Sequence, residues 1–164
     1  MKSTRRLLSI ILCLVMCLSL LPVAAFADDI ESSGKAGTEA EFVLYKSGKL
    51  VISGTGEIKA MTQWTFSSGY AFKDDDVLAT RSELKTLIIG EGITTVGAEA
   101  FKNCPKLTSV TLPASLLKIG EYAFSNCSGL TKITIPSGVI VTGIGAFKGC
   151  VNLSSVTFSA GMNN

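Results

Sequence analysis

No histidine occurs anywhere in these 164 residues. Its absence removes the commonest general base, and with it the cysteine–histidine and serine–histidine nucleophile pairs, so hydrolases of those kinds are excluded. Charge is scarce as well, at 17% of residues, and no stretch gathers the clustered basic face that nucleic acid requires. Lys2, Arg5 and Arg6 are three of the 15 basic residues, and the other 12 stand against 13 acidic ones, so the chain past its first segment is nearly neutral. After Leu21 no further long apolar run follows, which leaves no membrane span downstream.

What is present begins with an export pattern. Lys2, Arg5 and Arg6 form a basic start, Leu7 to Leu21 is apolar, and Ala25-Phe26-Ala27 supplies the small-x-small pattern read by signal peptidase, with cleavage before Asp28. The apolar run, about 15 residues, is short for a bilayer core of roughly 30 Å. Cys13 and Cys17 follow Leu12 and Met16 and are themselves followed by more apolar sequence, an unsuitable setting for a lipid-modified cysteine. Residues 1–27 therefore read as a signal peptide, and the protein as secreted, extracellular or held at the cell surface.

A fixed step organises the rest. Leu84, Leu107, Leu130 and Leu153 fall 23 residues apart, and Phe101, Phe124 and Phe147 and Cys104, Cys127 and Cys150 keep the same step. A period in the range of about 20–29 residues is that of leucine-rich units, each unable to bury its own apolar face and obliged to stack on its neighbours. Every unit opens with a strand pattern, as in Leu107-x-x-Val110-x-Leu112 and Leu130-x-x-Ile133-x-Ile135. A turn follows, with Pro113 and Pro136 at matching positions. The second half of each unit reads as a short helical or irregular outer turn, its phenylalanine filling the space between layers. Unit three reads Ile144-Gly145-Ala146-Phe147 against Ile119-Gly120-Glu121-Tyr122-Ala123-Phe124, two residues shorter, with a compensating extension and a local bulge between Ser137 and Gly143. The fourth unit has a strand but no covering segment, so its edge is expected to be bare and to favour self-association.

Ahead of the repeats, residues 28–38 are polar, small and unpatterned and read as a mobile leader. Phe42-Val43-Leu44-Tyr45, the turn Lys46 to Lys49, and Leu50-Val51-Ile52-Ser53 read as a hairpin. Trp64, Phe66, Tyr70 and Phe72 follow, and such an aromatic segment suits the plug that the open end of an array needs. The chain thus divides into residues 1–27, 28–38, a hairpin and aromatic cap at 39–83, and repeats at 84–164, three full units and a partial fourth.

The three cysteines that remain after the signal cannot all pair, and one repeat position is a poor place for a nucleophile. They read as a column of buried, unreactive thiols. No metal or other cofactor is expected: three thiolates in a straight stack make no zinc tetrahedron, and no histidine completes one. Asp74-Asp75-Asp76 lacks the alternate spacing, central glycine and closing glutamate of a calcium loop, and reads as a solvated loop. Gly54-Thr55-Gly56 is a turn, without the lysine–serine pair of a phosphate loop.

The motif Leu107-Thr-Ser-Val-Thr-Leu-Pro, continued by Ile119-Gly-Glu-Tyr-Ala-Phe-Ser-Asn-Cys127, resembles the BspA-like leucine-rich repeats of bacterial surface proteins, and Leu50-Val-Ile-Ser-Gly-Thr-Gly resembles their N-terminal cap. The likeness covers roughly residues 40–160. It implies an α/β repeat fold, a short leucine-rich-repeat solenoid with one parallel strand per 23-residue unit and an N-terminal β-hairpin cap. It also implies export and a general role in surface binding or adhesion.

The residues between the inward positions of each strand, Lys85, Thr86 and Ile88, then Thr108, Ser109 and Thr111, then Thr131, Lys132 and Thr134, then Ser154, Ser155 and Thr157, are expected to point outward. That ladder of short hydroxyl side chains is the candidate binding face for a host extracellular protein, a glycan or another surface protein. The rival reading, from a different class, is a structural spacer or a truncated fragment of a longer surface protein with no ligand of its own. No catalytic residue is assigned.

Overall fold

The computed structural model describes residues 30–66 and 74–160. The signal-peptide segment lies outside the described residues, as do Tyr70 and Phe72 of the aromatic segment. By its contacts the chain falls into Met1–Ile30 and Glu31–Asn164, and the account below concerns the second unit.

Its strands are β1 (Ile30–Lys35), β2 (Ala40–Tyr45), β3 (Lys49–Gly54), β4 (Gly56–Ile58), β5 (Thr65–Phe66), β6 (Thr86–Ile89), β7 (Ile93–Val96), β8 (Ser109–Thr111), β9 (Lys118–Ile119), β10 (Lys132–Ile135), β11 (Val141–Thr142) and β12 (Ser155–Phe158). Among the described residues the 3-10 turn Met61–Gln63 and the helix α1 (Asp74–Glu83) interrupt them. The segment expected to be a mobile leader is instead largely strand: β1 pairs antiparallel with β5, Gly34 opposite Phe66. Its polar composition hid this, because β1, set between β5 and β2, is held by backbone partners on both sides rather than by an apolar pattern. The acidic run Asp74–Asp76 opens α1 rather than forming a loop. Acidic residues favour the positive end of a helix dipole, which is the signal that a reading for calcium or solvent passed over.

Two parallel ladders, and not one, run through the repeats. In the first, β3 pairs with β6 and β6 with β8, and β10 pairs with β12 as a separate sheet. The second joins β4, β7, β9 and β11 in order. The expectation of one strand per unit is therefore corrected to two. The second is only two residues long in β9 and β11, too short for alternation to mark, and its geometry comes from the coil it lies against. Among the described residues no helix falls within the repeats, so the α element of the expected α/β repeat is confined to α1, ahead of them.

The hairpin residues are observed as an antiparallel pair, Phe42 opposite Ile52, around Gly48 at φ +80°. Its second strand also starts the first ladder: Leu50 lies opposite Leu87 and Ile52 opposite Ile89. One strand thus joins antiparallel and parallel neighbours, which sets the register of everything after it.

The outer turns follow a different rule. Glu99, Phe101 and Asn103 donate their N–H groups to the carbonyls of Glu121, Ala123 and Ser125 in the following coil, and Tyr122, Phe124 and Asn126 donate to Ile144, Ala146 and Lys148. All six of these backbone donors face one way. Left-handed residues make this possible: Glu99 and Asn103 at φ 56° and 60°, Tyr122 and Asn126 at 53° and 59°, and Gly145 and Gly149 at 64° and 76° recur at the 23-residue step. Asparagine tolerates this conformation and glycine adopts it freely. Asn126 Nδ2 also donates to Asn103 Oδ1 at 2.8 Å.

That same pattern overturns the expected deletion in unit three. Thr142 lies opposite Ile119, and Gly143 N–H donates to the Ile119 carbonyl as Gly120 N–H donates to Val96. No residue is lost and no compensating bulge exists. The glycine that matches Gly97 and Gly120 is Gly143, not Gly145; a Cβ at any of the three would meet backbone of the preceding coil. Aligning on the Ile144-Gly145 pair hid this, because a polar Thr142 occupies the position held elsewhere by Val96 and Ile119.

Inside, an aromatic stack follows the array. Phe42 stacks on Trp64 at 5.0 Å between ring centroids, Trp64 meets Phe101 edge-on at 6.1 Å, and Phe101–Phe124 and Phe124–Phe147 stack at 5.5 and 5.6 Å. Trp64 is fully buried, and its indole N–H donates to the Lys59 carbonyl at 2.8 Å, which satisfies the polar group that such burial strands. Leu84, Leu107 and Leu130 are likewise fully buried. Burial fades at the last units, where Val156 is 47% and Phe158 64% exposed.

Candidate functional site

The outward strand positions form the broadest regular surface. Lys49, Thr86 and Ser109 lie in register across β3, β6 and β8, and Val51, Ile88 and Thr111 form the next column. On the second sheet Lys132 faces Ser155 and Thr134 faces Thr157. Of the twelve positions read from sequence, Thr86 and Ile88 are half-buried and the other ten, Lys85, Thr108, Ser109, Thr111, Thr131, Lys132, Thr134, Ser154, Ser155 and Thr157, are exposed. The hydrogen-bonded ladder breaks between β8 and β10, but the two strands remain neighbours, so the positions form one face carried by two sheets.

Several hydroxyls are turned onto the fold itself. Thr134 and Thr157 share a hydrogen bond of 2.9 Å between their Oγ1 atoms, Thr108 Oγ1 donates to the Lys85 carbonyl at 3.3 Å, and Ser154 Oγ to that of Thr131 at 3.2 Å. These bonds tie coil to coil. At one margin Lys106 pairs with Glu83 at 2.8 Å, and the lysine holds that carboxyl below its usual range.

A cavity of about 330 Å³ adjoins this face. It is lined by Glu31, Ser32, Leu44, Lys46, Gly48, Ala79, Thr80, Glu83 and Lys85. Two carboxylates and two ammonium groups share it, and no pair among its lining residues is arranged as nucleophile and base. Sequence reading missed it because its walls come from β1, the hairpin and α1, three segments distant in the chain.

The thiol column is structural in its bonding. Cys127 Sγ donates to the Phe101 carbonyl at 3.2 Å and Cys150 Sγ to that of Phe124 at 3.0 Å. Those carbonyls lie between the ones the outer-turn N–H groups use, so cysteine supplies a small apolar body with a donor where alanine could not. The bond between Cys104 and Cys127, with burial, pushes the Cys104 thiol well above its usual range; burial also raises Cys150. Cys104 and Cys127 are buried and Cys150 only half-buried, so the expected column of equally buried thiols is corrected at its last member. Among the described residues no group of three or more His, Cys, Asp or Glu is placed to hold a metal ion. Among them, too, no helix is long and apolar enough to cross a membrane.

One carboxylate does specific work in the turns. Glu91 accepts the N–H groups of Ala114 and Ser115 at 2.9 and 3.1 Å, and these bonds, the Ala114 one foremost, lower its pKa. It thereby fastens the turn after Pro113 to the coil before it.

Parallel ladders, recurrent left-handed turns and a 23-residue step coincide with a family match: the BspA type leucine-rich repeat region aligns in six copies over residues 58–164. The chain belongs to the BspA-type leucine-rich repeat family. The match begins at Ile58, ahead of the first unit counted from Leu84, while β3, already in the first ladder, lies before it. No curated protein matches this BspA-type chain. Among solved structures it is similar to a leucine-rich repeat protein from Eubacterium ventriosum, with TM-score 0.47 and 20% identity over 78% of this chain and 44% of that one. A leucine-rich cell surface protein from Faecalibacterium prausnitzii gives 0.47 and 19%, over 76% of this chain and 54% of that one. A leucine-rich repeat protein from Bacteroides capillosus gives 0.46 and 20%, over 77% and 99%. The chain thus spans about half the length of the first two.

Proposed function

We infer that this chain is a non-catalytic interaction module displayed outside the cell: a short solenoid, closed at one end by the β2–β3 hairpin, that binds a protein or glycan through its outward strand face. The observation that carries the reading is the register of that face, where small polar residues recur at matching positions across β6, β8, β10 and β12 and ten of twelve are exposed. Membership of the BspA-type family and the export pattern in residues 1–27 support it. A flat face without aromatic or arginine anchors gives modest affinity per copy, so attachment depends on multivalent display.

The test replaces Thr111 and Thr134 together with glutamate. Both side chains are exposed, so folding should persist, while attachment of the purified protein to host-matrix or glycan-coated surfaces should fall. Equal binding by wild type and double variant would move the site to the loop from Ser137 to Gly143. The lack of anchors on the face also fits the spacer reading, which predicts that folded wild-type protein attaches to no such surface.

A further inference from the structure

Along β3, β6, β8, β10 and β12 all of the charge on the outward face has one sign. Lys49 on β3, Lys85 just ahead of β6 and Lys132 on β10 stand among serines and threonines, and β3, β6, β8, β10 and β12 contain no acidic residue. In this nearly neutral chain Glu57 on β4, Glu91 after β6, and Glu99 and Glu121 in the outer turns lie away from these strands, whereas Glu41 on the neighbouring β2 lies opposite Ser53 and is paired with Lys35 at 2.7 Å, and Glu31 lines the cavity beside Lys85. Glu83, at the margin, is held by Lys106. The segregation therefore does not follow from overall basicity. Lys49 lies opposite Thr86 and Thr86 opposite Ser109, and the 23-residue phase carries the column on to Lys132. With coils about 4.8 Å apart, Lys85 stands about one step from Lys49, and Lys132 on the order of 10–15 Å from both. Lys49 is further steadied over the Tyr45 ring, 5.3 Å from its centroid.

We propose that the strand face binds an anionic polysaccharide, its carboxylate or sulfate groups pairing with Lys49, Lys85 and Lys132 and its hydroxyls meeting those of Ser109 and Thr111. This rests on the strand face being the binding site. Tight protein partners are held chiefly by aromatic and arginine anchors, and the outward positions of these strands supply neither. A hydroxylated chain with one charge per disaccharide needs only a flat polar track and cations at that spacing. Such pairs lie in water, so each is weak, and retention falls steeply as salt rises.

The full-length exported protein would be applied to immobilised heparin, which is sulfated, polygalacturonate, which is carboxylated, and dextran, which is neutral. The face variant K49Q/K85Q/K132Q is compared with K59Q/K102Q/K148Q, which removes equal charge elsewhere, circular dichroism confirming both folds. Salt-sensitive binding to one or both polyanions, about tenfold weaker in the face variant and little changed in the other, is the expected result; the polymer preferred identifies sulfate or carboxylate. No retention on either polyanion, equal retention on dextran, or equal loss in both variants would overturn the proposal. If polyanions fail while T111E/T134E still abolishes attachment to a protein-coated surface, the strand face remains the site and only its anionic partner is wrong.

Discussion

Units two and three share a phase, a bonding pattern and most of their apolar positions, yet differ in burial. Ile119, Phe124 and Cys127 of unit two are fully enclosed, whereas Thr142, Phe147 and Cys150 at the same positions of unit three are exposed or half-buried. The coil itself is nearly the same. What changes is the neighbour beyond it: unit two lies under a complete outer turn, and unit three has beyond it, among the described residues, β12 and the residues around it. In a stack of this kind a residue's burial belongs to the interface between coils rather than to the coil that carries it.

The comparison would be broken most directly in the phenylalanine column. Phe124→Ala leaves a void between two stacked rings and should cost about 3–5 kcal/mol, whereas Phe147→Ala, with one ring face covered, should cost only about 1–2 kcal/mol. Urea unfolding measures both, and equal losses would mean that the last layer is as tightly packed as the middle one.

Thiol accessibility should sharpen the same contrast. In native protein Cys150 should react with an alkylating reagent at least about tenfold faster than Cys104 and Cys127, which wait for local opening. Intact-mass time courses, with each site identified after digestion, would show whether one thiol leads or all three react together.

A smaller effect separates the turn fastened by Glu91 from its counterpart at Ser137, where the preceding coil offers Ala114. The lowered pKa of Glu91 means that its carboxylate stabilises the fold above the usual 4.5 and loses that contribution as pH falls through the lowered value. Because the group is almost wholly exposed, Glu91→Gln should cost below about 1 kcal/mol at neutral pH and flatten the acid limb of the stability profile. An unchanged acid limb would show that the turn holds without the charge.

The period, the buried leucines and phenylalanines and the outward hydroxyl positions were legible in the sequence, because each rests on a side chain whose polarity repeats. The second ladder was not, since Lys118–Ile119 and Val141–Thr142 become strands only through backbone bonds to their neighbours. The left-handed turns were half legible. Gly145 and Gly149 stand where units one and two have Glu99 and Tyr122, and Asn103 and Asn126, and two glycines at such positions signal positive φ. The charge segregation of the strand face could be read only once β3 was known to share its ladder with β6, which brings Lys49 into line. The cavity beside Lys85 could not be read at all, its walls being distant in sequence.

The one-way hydrogen bonds of the outer turns give the stack a sense of direction, like an arrow whose tip and tail differ chemically. Gly145, Phe147 and Gly149 hold the positions from which the two earlier turns donate forward, so this rim offers hydrogen rather than oxygen. Two copies brought tip to tip about a two-fold axis would set donors against donors, at about 1–3 kcal/mol for each buried group left without an acceptor. Only a tail can answer a tip. The self-association expected from the bare last edge is therefore penalised along this rim, and a surface that continues the stack there must arrive with its carbonyls leading, in the polarity the chain already has.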